Sequence, residues 1–263
     1  MSVQGYWADL RAPAFRNLPD NTVAVLPIGA IEQHGPHLPV SVDRDLVNAV
    51  IERTLPRLKA DQNVLFLPNL AVTKSGEHDR HPGTLSLSAE TLMAVLRETG
   101  KCVATAGLSR LVLFNGHGGN TAVLEIVARD LRISQNMMVA TCSWFGFADY
   151  NGLFEGQDLA HDIHAGDIET SAMLAAHPGL VDMECAQDFK PATLDWQSSF
   201  QHIGLTEQAA RPGWIIEDLN SQGACGNAAA ANRDKGEQLL QTAATSFASF
   251  LAEFSRFDLR QSS

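Results

Sequence analysis

Thr22-Val23-Ala24-Val25-Leu26-Pro27-Ile28-Gly29 runs directly into Ala30-Ile31-Glu32-Gln33-His34-Gly35-Pro36-His37. The segment Thr22–Ile28 is a short, nearly continuous apolar run closed by a glycine. Such a run reads as a strand buried on both faces, the kind that parallel sheets contain. The next stretch, from Glu32 to Asp43, is polar and rich in histidine. A buried strand emptying into ionisable residues is the pattern of open α/β sheets, whose sites lie just beyond the carboxyl ends of the strands.

The pattern repeats along the chain. Residues Asp45–Leu58 carry apolar side chains at helical spacing, with Pro56 near the end. Val64–Leu67 is a second buried strand, followed by a long loop, Thr73–Leu87, containing Glu77, His78 and His81. Ser88 is placed to cap a helix through Ala106, with Glu90 in its first turn. Arg110–Phe114 is a third strand, Asn115–Asn120 a glycine-rich loop, Thr121–Ile133 a helix and Met137–Cys142 a fourth strand. A helix is expected from near Asp167 to near Pro178, and Asp182–Gly226 reads as surface loops and a hairpin. Asn227–Phe254 reads as one long helix whose alanine-rich start suits close packing. Strands and helices alternate without linker or repeat, which predicts one α/β domain, residues 1–263, around a mainly parallel sheet.

Composition narrows the function. A net charge of −11 and a pI near 5.2 argue against a nucleic-acid surface. No run approaches the roughly eighteen apolar residues of a membrane span, and Met1 to Arg16 lacks an apolar signal core. Cys102, Cys142, Cys185 and Cys225 form no C-x-x-C pair and read as free thiols of a reducing compartment, so a cytoplasmic location is expected.

Seven of the nine histidines lie between His34 and His164, most of them in loops after strands. Glu32 and His34 are two apart, so an extended segment turns both to one side. Imidazole with carboxylate suits Zn, Mn or Fe, and a site without cysteine looks catalytic rather than structural. Asp43 could bridge two ions through its two oxygens, or serve only as a helix cap. His117 in N-G-H-G-G-N is either a ligand or a turn residue. His164-Ala165-Gly166-Asp167-Ile168-Glu169 adds a base and carboxylates at a helix start, where the helix dipole alone would also favour acids. The G-H-G-G-N loop has neither G-x-G-x-x-G nor a P-loop lysine, so nucleotide binding is not indicated.

These stretches together resemble the creatininase family of amidohydrolases: LPIGAIEQHGPHLPVSVD at Leu26–Asp43, SGEH and PGTLSL within Ser75–Leu87, LFNGHGGN at Leu113–Asn120, and HAGDIETSAML at His164–Leu174. The resemblance implies a single three-layer α/β/α domain, two divalent metal ions (Zn first, Mn or Fe otherwise) and a homo-oligomer, hexamer or dimer. It implies Glu32, His34, Asp43 and His117 as metal ligands, with Asp43 bridging, and His164 as the proton-transfer residue. The family's creatinine-hydrolysing members read N-G-H-Y-E-N, with the glutamate as a ligand. Gly118 and Gly119 stand at the Y-E positions here, and Glu169 is the expected replacement ligand. Trp144 matches one of two tryptophans that wall the creatinine pocket, and the other falls at about Ala160.

The expected activity is hydrolysis of a non-peptide C–N bond in a small cyclic amide or formamide. His164 and Glu169 would carry the chemistry. Gly118, Gly119, Trp144, Glu77 and His78 would form the substrate site, the two glycines offering backbone N–H groups to the oxyanion. A second reading keeps the metal site but opens a sugar-derived ketone or lactone, or isomerises it. A third is metal storage without turnover.

Overall fold

The computed structural model describes residues 2–154, 156–206 and 208–259. Its central sheet is wholly parallel, in the order β1-β3-β2-β4-β5. The strands are β1 (Gln4–Tyr6), β2 (Val23–Ile28), β3 (Val64–Phe66), β4 (Arg110–Asn115) and β5 (Met138–Ser143). Every residue of β2 and β3 is buried, as the unbroken apolar runs require. β1 pairs with β3 at the edge, and only that pairing identifies it, because Gln4-Gly5-Tyr6 carries no apolar run.

Helices cover both faces, giving the three layers. Val23, Val25, Phe66, Val112 and Phe114 face one core with α1 (Val42–Thr54), α5 (Asp167–Ala176) and α8 (Arg233–Phe254). Ala24, Leu26, Ile28, Leu111 and Leu113 face the other, with α2 (Ala89–Thr105) and α3 (Thr121–Gln135). The alternation of neighbouring residues between two cores is what a strand buried on both sides must show. Ser88 caps α2, accepting a hydrogen bond from Thr91 N at 3.2 Å. A short helix α4 (Gly156–His161), a two-residue strand β6 (Asp188–Phe189), two further short helices α6 (Thr193–Ser199) and α7 (Ile216–Leu219), and β7 (Gly226–Asn227) fill the rest.

Two boundaries differ from the sequence expectation. Residues Gly226–Asn227 pair antiparallel with β6, which lies far back in the chain, so the expected hairpin is a long-range ribbon. The last helix therefore opens at Arg233, where the Asn232 side chain accepts from Lys235 N at 3.0 Å. The first helix opens at Val42, three residues before the expected Asp45, and ends at Thr54.

The chain runs from β2 to β3 on one side of the sheet, then crosses past β2 to β4 on the other. Adjacent strands β2 and β4, paired through Ile28 and Asn115, thus send their following loops apart to opposite faces. That switch point is where a doubly wound sheet opens a crevice. Among the described residues, no helix is long and apolar enough to cross a membrane.

Candidate metal centre and active site

Backbone packing brings the candidate ligands to the switch point. α1 presses its first turn against Gly29 at the end of β2 and Gly116 at the end of β4. A Cβ on Gly29 would lie 2.6 Å from Arg44 Cα, and one on Gly116 2.6 Å from Asp43 O. Only glycine at both strand ends lets Asp43 come this close. The helix-cap position belongs to Ser41, which leaves the Asp43 carboxylate to the centre.

Asp43 Oδ1 is 3.4 Å from His34 Nε2, and Asp43 Oδ2 is 3.4 Å from His117 Nδ1. His117 Nδ1 also lies 3.1 Å from Glu32 Oε2, and Glu169 Oε2 is 3.8 Å from His34 Nε2. Three groups each have ligand atoms within 4.8 Å of one another: Glu32–His34–His164 and two triads, Glu32–Asp43–His117 and His34–Asp43–Glu169. The last two share Asp43. Gly119 offers no side chain, and Glu169, from α5, stands as the third member of the second triad.

All five residues of these two triads are buried, yet Glu32 Oε1 and Oε2, His34 Nε2 and Asp43 Oδ2 have no hydrogen-bond partner. Unpaired buried polar atoms are costly and rare. Four of them converging from imidazole and carboxylates fit divalent cations, and the donor set suits Zn or Mn better than Ca or Mg.

The charges tell the same story in the metal-free protein. Burial opposes a charged His34, but Asp43, Glu169 and Glu32 carry its pKa up to about 10. His117 is raised well above its ordinary value against the same burial, by Glu32 and Asp43. Burial pushes Glu32 up, yet His117 brings it down to about 2, and His34 and His117 likewise hold Asp43 well below the usual carboxylate range.

Around this centre a second ring of contacts sets orientation. His164 Nε2 donates to the Gln33 carbonyl at 2.8 Å, leaving Nδ1 to face Glu32 Oε1 at 3.6 Å. The Gln33 amide donates to His78 Nδ1 and to Gly223 O, both at 2.9 Å, so His78 keeps its proton on Nε2, 3.7 Å from Glu32 Oε1. Ala165, between His164 and α5, adopts a left-handed φ of 54°, a strained conformation for a residue with a Cβ. That turn lets Ala165 N donate to Glu169 Oε2 at 2.6 Å. His37 Nε2 and Thr170 Oγ1, 2.8 Å apart, tie the loop after β2 to α5.

The centre opens on a cavity of about 770 Å³ whose walls include Glu77, His78, Gly118, Gly119, Asp162 and Trp214. Of the residues expected to bind substrate, Glu77, His78, Gly118 and Gly119 are there. Trp144 is not: it is fully buried in the core, stacked at 4.1 Å on Phe145. Its neighbour Phe145 lines the cavity instead, as does Ala160. His81 lies outside the lining, 3.4 Å from Glu217.

Gln33 and Asp162 were not anticipated, although Gln33 stands inside the opening motif and Asp162 two residues before His164. Asp162 accepts from Asp167 N at 2.6 Å and Ile168 N at 3.3 Å, anchoring the first turn of α5. Burial, and then Glu169, push its pKa up to about 8. Glu169 is raised to about 7, by burial against the pull of His34.

A parallel α/β/α sheet with buried imidazole–carboxylate triads at its switch point is fitted to hold divalent metal beside a substrate cavity. The family profile "Creatininase: Creatinine amidohydrolase" matches residues 8–251, and the chain belongs to this family of metal-dependent amidohydrolases. It is 33% identical over 247 residues to a creatinine amidohydrolase from Pseudomonas putida, covering 88% of this chain and 89% of that one. It is 35% identical over 162 residues to a mycofactocin precursor peptide peptidase from Mycobacterium ulcerans, covering 60% of this chain and 59% of that protein. A Glu→Gln creatininase variant of Zn–Zn type superposes with a TM-score of 0.75 at 28% identity, over 97% of this chain and all of the other. A manganese creatininase does so with a TM-score of 0.73 at 28% identity, over 98% and 100% of the two chains.

Proposed function

We propose that the chain, acting as a single domain, hydrolyses a non-peptide C–N bond in a small cyclic amide or formamide, using two divalent metal ions. The observation that carries the proposal is the pair of buried triads sharing Asp43 at the floor of the cavity. Glu32, Asp43 and His117 would hold one ion, and His34, Asp43 and Glu169 the other, with Zn the first choice and Mn or Fe able to replace it. When bound, such a pair supplies Lewis acidity and lowers the pKa of a water.

The chain's own groups do the rest. With Nε2–H committed to the Gln33 carbonyl, His164 takes or gives a proton only at Nδ1. Burial, His34 and His78 depress its proton affinity, so a proton collected at Nδ1 passes readily to a leaving nitrogen. Gly118 and Gly119 both line the cavity, and their backbone N–H groups would serve a developing oxyanion, with open space beside Gly118 and the Glu77 carboxylate against Gly119. Phe145 and Trp214 give the cavity apolar surface. A homo-oligomer, on family likeness, and a cytoplasmic location, on the free cysteines, are part of this proposal.

Metal content per chain, measured by plasma mass spectrometry on protein purified without chelator, tests the centre. About two ions are expected; none, even after reconstitution, would remove the proposal. A screen of small amides should then release ammonia, an amine or formate. A new carboxylate with none of these would favour lactone or ketone opening.

A further inference from the structure

Gly119 has no room for a side chain. A Cβ built there would overlap Glu77 Oε1 and His117 Nε2, whereas one on Gly118 would meet nothing within 4 Å. The space in front of His117 is filled from a different loop. Glu77 Oε1 lies 3.4 Å from His117 Nε2, and Glu77 Oε2 accepts from Lys74 Nζ at 2.8 Å. The backbone carbonyl of Lys74 accepts from the same His117 Nε2 at 3.0 Å.

His117 therefore has two unlike sides. Nδ1 faces Glu32 and Asp43 at 3.1 and 3.4 Å, while Nε2 faces a carbonyl and a carboxylate, both supplied by residues 74–77. We propose that Glu77 is the positioning carboxylate of His117, seated in the slot that Gly119 leaves. With the Lys74 carbonyl it keeps the ring proton on Nε2, so that Nδ1 offers its lone pair to the metal centre. This role rests on the two-metal centre proposed for the chain.

Three features carry the inference. Glu77 belongs to neither ligand triad, so its carboxylate acts on the centre through His117. Lys74 engages the far oxygen of Glu77, which fixes the near one against the ring. An outer carboxylate on a ligating histidine sets its tautomer and raises its basicity, and losing one weakens metal binding by roughly 10–100-fold. The fold has kept residue 119 bare to admit a side chain from elsewhere, since the open space at Gly118 needs no glycine.

The test is zinc affinity by competition with a chromogenic chelator, for wild type, Glu77→Ala and Glu77→Gln, beside the Tm of each protein without metal. Glu77→Ala should bind zinc roughly 10–100-fold more weakly, beyond what any fall in its metal-free Tm explains. Glu77→Gln, which keeps an acceptor but no charge, should fall between it and wild type. Zinc affinity within about twofold of wild type in Glu77→Ala would overturn the proposal, whatever happens to turnover. So would affinity losses matched by lower metal-free Tm in both variants, which would make Glu77 merely structural. A wild-type protein that binds no zinc would instead remove the metal centre, and this inference with it.

Discussion

The Gln33 carbonyl oxygen lies 2.8 Å from His164 Nε2, so the residue beside His34 fixes the tautomer of the histidine proposed to move protons. Gln33 reaches further through its side chain, to His78 and Gly223. One residue of the opening loop thereby orients two imidazoles over the cavity, and its own amide is pinned at the far end. Glu32 and His34, on either side of it, point the other way into the triads.

Replacing His164 by Ala should therefore leave metal content at the wild-type level and lower kcat by about 10²–10⁴-fold, the usual worth of a positioned acid–base group. Metal analysis and steady-state kinetics on one preparation check this. Unchanged turnover would take His164 out of the mechanism, and loss of an ion would make it a ligand.

Metal uptake should release protons. His34, at about 10, and His117, well above its ordinary value, both carry protons at neutral pH in the metal-free protein, and a ligating imidazole must be neutral. Calorimetric titration with zinc in buffers of different ionisation enthalpy measures the release. Affinity should weaken as the pH falls from about 8 to about 6. A buffer-independent enthalpy would show that the imidazoles were already neutral.

The same groups set how the metal-free protein responds to alkali. His34 and His117 bind protons more tightly folded than unfolded, so their contribution is complete below about pH 6.5 and is lost as the pH rises, for His34 through about 10. Glu169 and Asp162 resist ionisation when buried, up to about 7 and about 8, and this too lowers stability as the pH climbs toward those values. These four groups act in one direction, whereas the depressed His37, His78 and His164 act in the other only below about pH 6.5. The metal-free Tm should fall between about pH 7 and about pH 9, and bound zinc should flatten the slope. A flat metal-free profile would contradict the charge arrangement described.

Glu169 shows what the sequence could and could not reveal. Its position after an expected helix start was visible, but so was the ordinary excuse that helix N-termini favour acids. Only the left-handed turn at Ala165 and the bond from Ala165 N direct its carboxylate to His34, and no local pattern announces those. The buried strands and the loops after them were legible because apolar runs and glycine-rich breaks are local signals. β1 was not, since three unremarkable residues became a strand through pairing with β3. Trp144 misled for a related reason. Its place in the chain says nothing of which way the chain turns after β5, and the turn sends Trp144 into the core and Phe145 to the cavity.

Glu169→Ala should accordingly remove one ion and keep the other. The Glu32–Asp43–His117 triad stays whole in that variant, so about one metal per chain is expected by plasma mass spectrometry, with little activity left. Two ions retained would mean that Glu169 is not a ligand, and that His164, the third member of the Glu32–His34 group, completes the second site instead.

Glu169 is also held in place from behind, by the contact of α5 with α8. The two helices pack so closely that a Cβ on Gly236 would overlap the backbone of Ser171. Lys235 Nζ reaches Asp167 Oδ2 at 2.5 Å, Ser171 Oγ donates to Asp167 Oδ1 at 2.9 Å, and Asn232 N donates to Ser171 Oγ at 3.1 Å. The first turn of α5 is thus locked to the start of α8, two residues from Glu169. Gly236→Ala must push the helices apart, at a cost of about 1–3 kcal/mol, or about 2–12 °C in Tm for a chain of this size. Because the displacement is transmitted to Glu169, zinc affinity should fall with it. Lys235→Met, which leaves the backbone contact intact and breaks the ion pair with Asp167 together with the bond to the Ala230 carbonyl, should lower Tm without the same loss of affinity. Equal losses of affinity in the two variants would place the control of Glu169 in the charge rather than in the helix contact.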